Sequence, residues 1–364
     1  MLRVPAALGA WLVSAVTLAA AQPEPKDSRA LVERGGRSFL KGDYEQALKD
    51  FDAALKLDPK NAKAFYGRGA VRLKQREYEQ ALKEYDAALK LDPDDIWSVI
   101  ERGNVLSKLG KYDEAGKALD KAQRLDDKNP HVFVGRGELS MEERQYDAAI
   151  KHFGKALELD PSLAVGHTCR AVARQRKGEH DKALEDLNEA IRLAPDDPEA
   201  YFGRIETYFV LGQLDKAAKD GETVVRLAPK SGYAYYHRGI TRFMRSEWRD
   251  TLADLDEAVR LIPKYASALA ARAMLRAACA DAKFRDAEKA LKDAKAACEL
   301  TGWKAGHPLE AYAAAYAEAG DFAEAVKWQK KALEDAVHMV SRGPDVRWRL
   351  ELYEAKKPFR SGRP

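Results

Sequence analysis

Residues 65–93 read FYGRGAVRLKQREYEQALKEYDAALKLDP. Phe65, Gly69 and Leu73 recur at helical spacing, and Gln75-Arg76-Glu77 then turns the chain. Ala81, Tyr85, Ala88 and Leu89 follow at i, i+4, i+7 and i+8, the apolar face of a second helix. Leu91-Asp92-Pro93 ends it, because proline lacks an amide hydrogen and disfavours helix in the residue before it. The stretch encodes one helix-turn-helix hairpin.

The same hairpin recurs along the chain at a period of 34 residues. Arginine returns at Arg34, Arg68, Arg102, Arg136, Arg170, Arg204, Arg238 and Arg272. Alanine returns at Ala47, Ala81, Ala115, Ala149, Ala183 and Ala217, with Thr251 closing the column. Ala54, Ala88, Ala122, Ala156, Ala190, Val224 and Ala258 stand seven residues further on. Proline marks repeat ends at Pro59, Pro93, Pro161, Pro195, Pro229 and Pro263, with Asp127 the one departure. Small residues in fixed columns mark where helices approach most closely, and overpacking such a site costs about 1–3 kcal/mol. One hairpin cannot bury its apolar face alone, so stability must come from stacking neighbours.

These residues resemble tetratricopeptide repeat proteins of the exported bacterial type. The resemblance rests on aromatic residues near the repeat starts (Phe65, Phe133, Tyr201, Tyr235), on Gly35, Gly69, Gly103, Gly137 and Gly239, on the turn Gly42-Asp43-Tyr44, on the alanine pairs and on Leu-Asp-Pro. Arginine stands where the family pattern has leucine. The resemblance implies an all-α fold, a right-handed superhelical solenoid of about nine hairpins. Seven regular repeats are expected at 28–61, 62–95, 96–129, 130–163, 164–197, 198–231 and 232–265. In the eighth, 266–302, the alanine pair falls five residues late at Ala290 and Ala297, which predicts a lengthened turn over 279–286. The ninth, 306–337, turns at Gly320-Asp321-Phe322 and carries Ala325 and Ala332. The array therefore spans 28–337. A helix within 338–356, with Val346, Leu350 and Tyr353 on one face, is expected to cap the stack. The basic stretch 357–364 is expected to be disordered; the competing reading is a membrane- or partner-binding tail.

Ahead of the array, residues 1–21 carry a single charge, Arg3, then an apolar run over 4–20 and an Ala19-Ala20-Ala21 exit. This reads as a secretory signal cleaved after Ala21, followed by a short linker, 22–27. The competing reading is an uncleaved anchor, since the apolar run lies near the lower length limit for a span. Export to the periplasm or extracellular space is expected, with no stable membrane insertion after cleavage.

Composition narrows the function. Of 364 residues 46% are apolar and 33% charged, too apolar for a disordered chain and without the long apolar stretches of a polytopic membrane protein. The balance of 62 basic against 58 acidic residues gives no concentrated positive surface for nucleic acid. Seven histidines and three cysteines show no metal-ligand spacing, and no GxSxG, phosphate-loop or GxGxxG pattern occurs. No metal, cofactor or catalytic residue is expected. Cys279 and Cys298 fall near opposite ends of an antiparallel pair, too far apart for a disulfide, and are expected as free buried thiols.

Two residue sets attract a functional reading. The arginine column suggests an anion groove, yet most arginines have an acid sixteen residues on: Asp50, Glu84, Asp186, Asp220 and Asp254, with Asp293 in the shifted eighth repeat. Such pairs would neutralise the column. Ala118 and His152 break the series and leave Arg102 and Arg136 without partners. The aromatics are the stronger candidates. The resemblance places first helices on a concave wall, where Phe202, Phe209, Tyr233, Tyr236, His237 and Phe243 would form a strip, with Tyr66, Trp97 and His131 at groove edges singly. The strip implies capture of a peptide segment or protein partner; the competing reading is a groove closed by superhelical curvature. Lys and Asn clamps for an acidic C-terminus, a familiar use of the family, are absent, the corresponding positions being Val32, Gly36, Lys63, Gly67, Trp97 and Glu101. A second functional reading makes the chain an assembly factor of an envelope complex, or a self-associating solenoid. A third, an enzyme with an unrecognised site, has no motif behind it.

Overall fold

A computed structural model describes residues 27–361. The expected signal segment, 1–21, and the linker up to residue 26 lie outside the described residues. The chain divides into two compact blocks between Pro195 and Asp196. The first block holds five hairpins: α1 (Ser28–Leu40) with α2 (Tyr44–Leu57), α3 (Ala62–Lys74) with α4 (Tyr78–Leu91), α5 (Ile96–Lys108) with α6 (Tyr112–Leu125), α7 (Pro130–Glu142) with α8 (Tyr146–Leu159), and α9 (Ala164–Lys177) with α10 (His180–Leu193). The second holds four more: α11 (Pro198–Val210) with α12 (Leu214–Leu227), α13 (Gly232–Met244) with α14 (Trp248–Leu261), α15 (Ala266–Ala278) with α16 (Ala287–Leu300), and α17 (Gly306–Glu318) with α18 (Phe322–Ala332). A final helix, α19 (Ala336–Glu354), follows. Among the described residues the fold is all-α, as the period requires.

The repeat ends carry two signals. Just ahead of most first helices, a short polar side chain accepts the first free amides of the helix. Asp27, Asn61, Asp95, Asn129, Asp197 and Ser231 do this for α1, α3, α5, α7, α11 and α13. Inside the hairpin, one turn residue takes left-handed backbone. Gly42, Gly110, Gly178 and Gly212 hold it at φ of 68° to 80°, while Arg76, Arg144 and Ser246 hold the equivalent positions at 61° to 62°.

Close packing follows from the glycine columns. The Phe51 ring of α2 sits so near α1 and α3 that a methyl group at Gly35 or Gly67 would come within 2.9 and 2.4 Å of it. Tyr85 fills the same place beside Gly69, Leu119 beside Gly103 and Gly135, and Phe153 beside Gly137. Each of these side chains is fully buried.

The arginines tie the hairpins in both directions. Each forward pair predicted sixteen residues on is formed: Arg34–Asp50, Arg170–Asp186, Arg204–Asp220 and Arg238–Asp254 at 2.7 Å, and Arg68–Glu84 at 2.6 Å. Arg272 reaches Asp293, 21 residues on, at 2.7 Å because the turn is longer there. Arg102 and Arg136, expected to lack partners, correct that reading. They pair backwards, with Asp86 at 2.7 Å and Asp120 at 2.6 Å on the preceding hairpin. Arg68, Arg238 and Arg272 add the same backward contact to Asp52, Glu222 and Asp256. Sequence position gave the partner inside a hairpin; the backward partner depends on how neighbouring hairpins stack.

The eighth hairpin has the lengthened turn, built on a short 3-10 helix at Ala282–Phe284. Beyond it, α19 buries Val346 and Tyr353 completely. Residues 357–361, expected to be disordered, instead pack against the second block, with Phe359 and Ser361 buried. The exit from α19 turns back through Lys356 at φ 53°, which aims the segment at α15.

Two substitution pairs separate these effects. Arg204→Ala strands the buried Asp220 carboxylate and should cost about 3–5 kcal/mol in urea melts. Arg102→Ala removes only a pair with the exposed Asp86 and should cost about 0–1 kcal/mol. Ser246→Gly relieves left-handed strain and should raise stability by about 1 kcal/mol. Gly137→Ala drives a methyl group to within 2.4 Å of the Phe153 ring and should lower stability by about 1–3 kcal/mol.

Candidate functional site

The first helices of the second block carry the aromatic candidates, and their rings pack on one another. Phe202 lies 4.9 Å from His237, His237 5.4 Å from Tyr236, Tyr236 5.0 Å from Tyr265, and Tyr265 4.9 Å from Tyr233, centroid to centroid. Five rings from α11, α13 and the residue just before α15 make one continuous run. Tyr265 was not among the residues the sequence singled out. It became part of the run because the turn into α15 brings it beside two tyrosines of α13. Phe243 packs edge-on against Trp248 at 5.4 Å, and Phe209 is half-buried against the core around Ile205.

Two candidates do not face outwards. Phe202 is buried in the core with Ile205, Ala217 and Val224, and Tyr66 is buried against Tyr85 at 5.6 Å. Phe202 was expected in the strip on the concave wall and Tyr66 singly at a groove edge. A first helix flanked by helices on both sides encloses this position, so a large ring there becomes packing. Trp97 and His131, expected singly, form an edge-on pair at 5.1 Å between α5 and α7. Both are half-buried.

Sequence reading missed the most exposed apolar residues of these helices. Val210 and Met244 end α11 and α13 one repeat apart, 64% and 55% exposed, beside half-buried Phe209 and Phe243. The signal was available in the register. The same position carries Lys74, Lys108, Glu142 and Arg176 in earlier repeats. Charge gives way to exposed apolar side chains on two successive repeats in the sixth and seventh hairpins; the first hairpin also carries one at this position, Leu40, and the eighth carries the buried Ala278.

Burial sets the electrostatics. Enclosure lowers the His237 imidazole to about 4, so it is neutral near pH 7. Tyr236 is pushed up to about 12 by burial and by the Glu206 carboxylate. In the first block Glu101 is buried, and burial and then Glu138 push it up to about 8, only partly offset by the Asn104 hydrogen bond and Lys74. Burial also pushes the Cys298 thiol up to about 12. Cys169, Cys279 and Cys298 are all buried, and Cys279 and Cys298 are free thiols as expected. Between α12 and α13 lies a charged cleft of about 470 Å³ lined by Arg238, Arg242 and Arg245. Its arginines are committed to Glu222, Asp254 and Asp215 at 2.7–2.8 Å, so they do not offer a free anion site. Among the described residues no three His, Cys, Asp or Glu side chains converge as metal ligands.

Comparison with known proteins bears on this arrangement. Three sequence profiles, each described as tetratricopeptide repeat, match residues 39–96 and 170–232, 72–136, and 130–163. Together they cover just over half of the chain. The chain belongs to the tetratricopeptide repeat family. Among solved structures, this repeat protein is similar to a chain of the APC/C hetero-tetramer Cut9–Hcn1. They share 14% identity and a TM-score of 0.62, over 90% of this chain and 76% of that one. It is also similar to a tetratricopeptide repeat protein from Parabacteroides merdae, at 22% identity and a TM-score of 0.44 over 65% of this chain and 94% of that one. A third is YrrB, a tetratricopeptide repeat protein with an unusual peptide-binding site, at 25% identity and a TM-score of 0.38 over 52% and 97%. No curated protein matches the chain in sequence. The first of these likenesses shows the fold of the repeat array.

The two shifted groups give opposite pH slopes. His237 protonates near 6.5 when unfolded and near 4 when folded, so stability should fall as pH drops through that window. Glu101 ionises near 4.5 when unfolded and near 8 when folded, so stability should fall as pH rises through that one. Thermal melts from pH 4 to 8 should show a flatter acid limb for His237→Gln and a flatter alkaline limb for Glu101→Gln.

Proposed function

We propose that this tetratricopeptide repeat protein is a non-catalytic, exported scaffold that holds a peptide segment or protein partner against the first helices of its sixth and seventh hairpins. The pair Val210 and Met244 carries the reading. Large apolar side chains left exposed at equivalent positions of adjacent repeats, next to half-buried aromatic rings, are the composition of a binding surface rather than of a solvated face. The ring run packs the earlier turns of the same helices together and fixes their positions, so a ligand meets a preformed site and little ordering is lost on binding. Phe209 and Phe243, next in sequence to the pair, supply partly exposed rings beside it; Phe202, Tyr233, Tyr236 and His237 lie about two to three turns nearer the N-termini of the same helices. Export rests on the charged start, apolar run and alanine exit of residues 1–21. No helix of the described residues is long and apolar enough to cross a membrane.

A displayed random-peptide library selected on the chain gives the test. Peptides so selected should bind the Val210→Ser, Met244→Ser double variant at least tenfold more weakly, about 1.4 kcal/mol, with helix content unchanged by circular dichroism. Leu57→Ser and Leu125→Ser, at exposed leucines elsewhere, should leave binding intact. Equal binding to all variants discards the assignment.

A further inference from the structure

Two departures from the regular repeat meet in the second block. One is the lengthened turn after α15; the other is the segment that follows α19. Residues 359–361 lie along the end of α15 in extended form, and Ser361 makes a bridge to Cys279, 82 positions earlier in the sequence. The contacts are those of a bound peptide. The Phe359 ring sits edge-on to Trp348 at 5.6 Å and under the Arg349 guanidinium at 4.2 Å. Arg360 places Nη2 2.6 Å from Glu318 Oε2 and donates through Nη1 to the Ala277 carbonyl at 3.3 Å. Ser361 donates its amide to the Ala278 carbonyl at 2.7 Å and its hydroxyl to the same oxygen at 3.0 Å.

The receiving surface is built from the end of the array and from α19, which supplies Trp348 and Arg349. The last carbonyls of a helix have no partner within it, and α15 ends in extended backbone at Cys279, so those of Ala277 and Ala278 need outside donors. Glu318 is held in place by Arg285 of the lengthened turn at 3.0 Å, and Arg285 also donates to the Cys279 carbonyl at 2.8 Å. An aromatic slot, a carboxylate and two helix-end carbonyls therefore stand in a row. They match an extended segment with an aromatic residue, then arginine, then a backbone amide.

We propose that this surface is a second docking site, distinct from the Val210–Met244 surface, that receives an aromatic-arginine segment of a partner protein and that the chain's own residues 358–361 occupy it as an internal competitor. A tethered segment acts at an effective concentration in the mM range, so the internal copy fills the site until a tighter segment displaces it.

The test uses a labelled synthetic peptide of residues 357–364, KPFRSGRP, in fluorescence anisotropy. A chain ending at Lys356, with helix content unchanged, should bind it saturably, and the full chain at least tenfold more weakly. The peptide carrying Arg360→Glu should not bind either. Absence of saturable binding to the shortened chain, or equal binding of both peptides, overturns the proposal. In the full chain, Phe359→Ala with Arg360→Glu should speed labelling of the buried Cys279 thiol by a disulfide reagent at least tenfold; an unchanged rate overturns it as well. A dimer of the full chain that the free peptide dissolves would place the segment in a second copy and overturn the internal occupancy.

Discussion

The structure depends on how closely two helices of a hairpin can approach. Where Gly35, Gly69, Gly103 and Gly137 remove the side chain, a large side chain from the second helix occupies the vacated space, and for Phe51 and Leu119 it also reaches a glycine of the next hairpin, Gly67 and Gly135. Phe51 serves α1 and α3 at once. Core formation and stacking are thus one event, and no hairpin completes its interior without a neighbour. The alanine columns keep the remaining contacts short enough for this to hold.

A solenoid with so many charges also needs its ions in order. The arginine column could have been a row of ligands; it is a row of ties. Buried acids such as Asp50, Asp186 and Asp254 require their arginines because an unpaired carboxylate there has lost its water. The exposed acids at Asp52, Asp86 and Asp120 contribute less energy and fix which hairpin lies next to which.

The array was legible in the sequence because its information is periodic. Helix positions, turns, the lengthened eighth hairpin and the forward ion pairs all follow from one register and helical geometry. The backward pairs of Arg102 and Arg136 were not, since they depend on the rotation between neighbouring hairpins. Nor was the burial of Phe202 and Tyr66, because a helical face can be assigned from spacing only when its flanks are known. Val210 and Met244 were overlooked for a different reason: attention to aromatic residues passed over aliphatic ones at a position that is charged in the second to fifth hairpins. Residues 357–361 looked like a polar tail, and their order comes from acceptors that lie far away in the sequence. Periodicity told where the walls stand; it did not tell which surface of a wall is filled from within.

The two arginine contacts have an evolutionary consequence. A block of 34 residues cut from the regular array, at whatever phase, carries one arginine of the column and, in most repeats, one acid for the hairpin's own pair and one for the neighbour, Gly154 and Asn188 being the departures from the latter. Tandem duplication of such a block would insert a hairpin already equipped to join on both sides, so the array can lengthen by copying without new adjustment. The five extra residues of the eighth hairpin break that phase. Growth by duplication is accordingly confined to the repeats before it, and the part of the chain that holds Glu318 and Phe359 is left unchanged as the array extends.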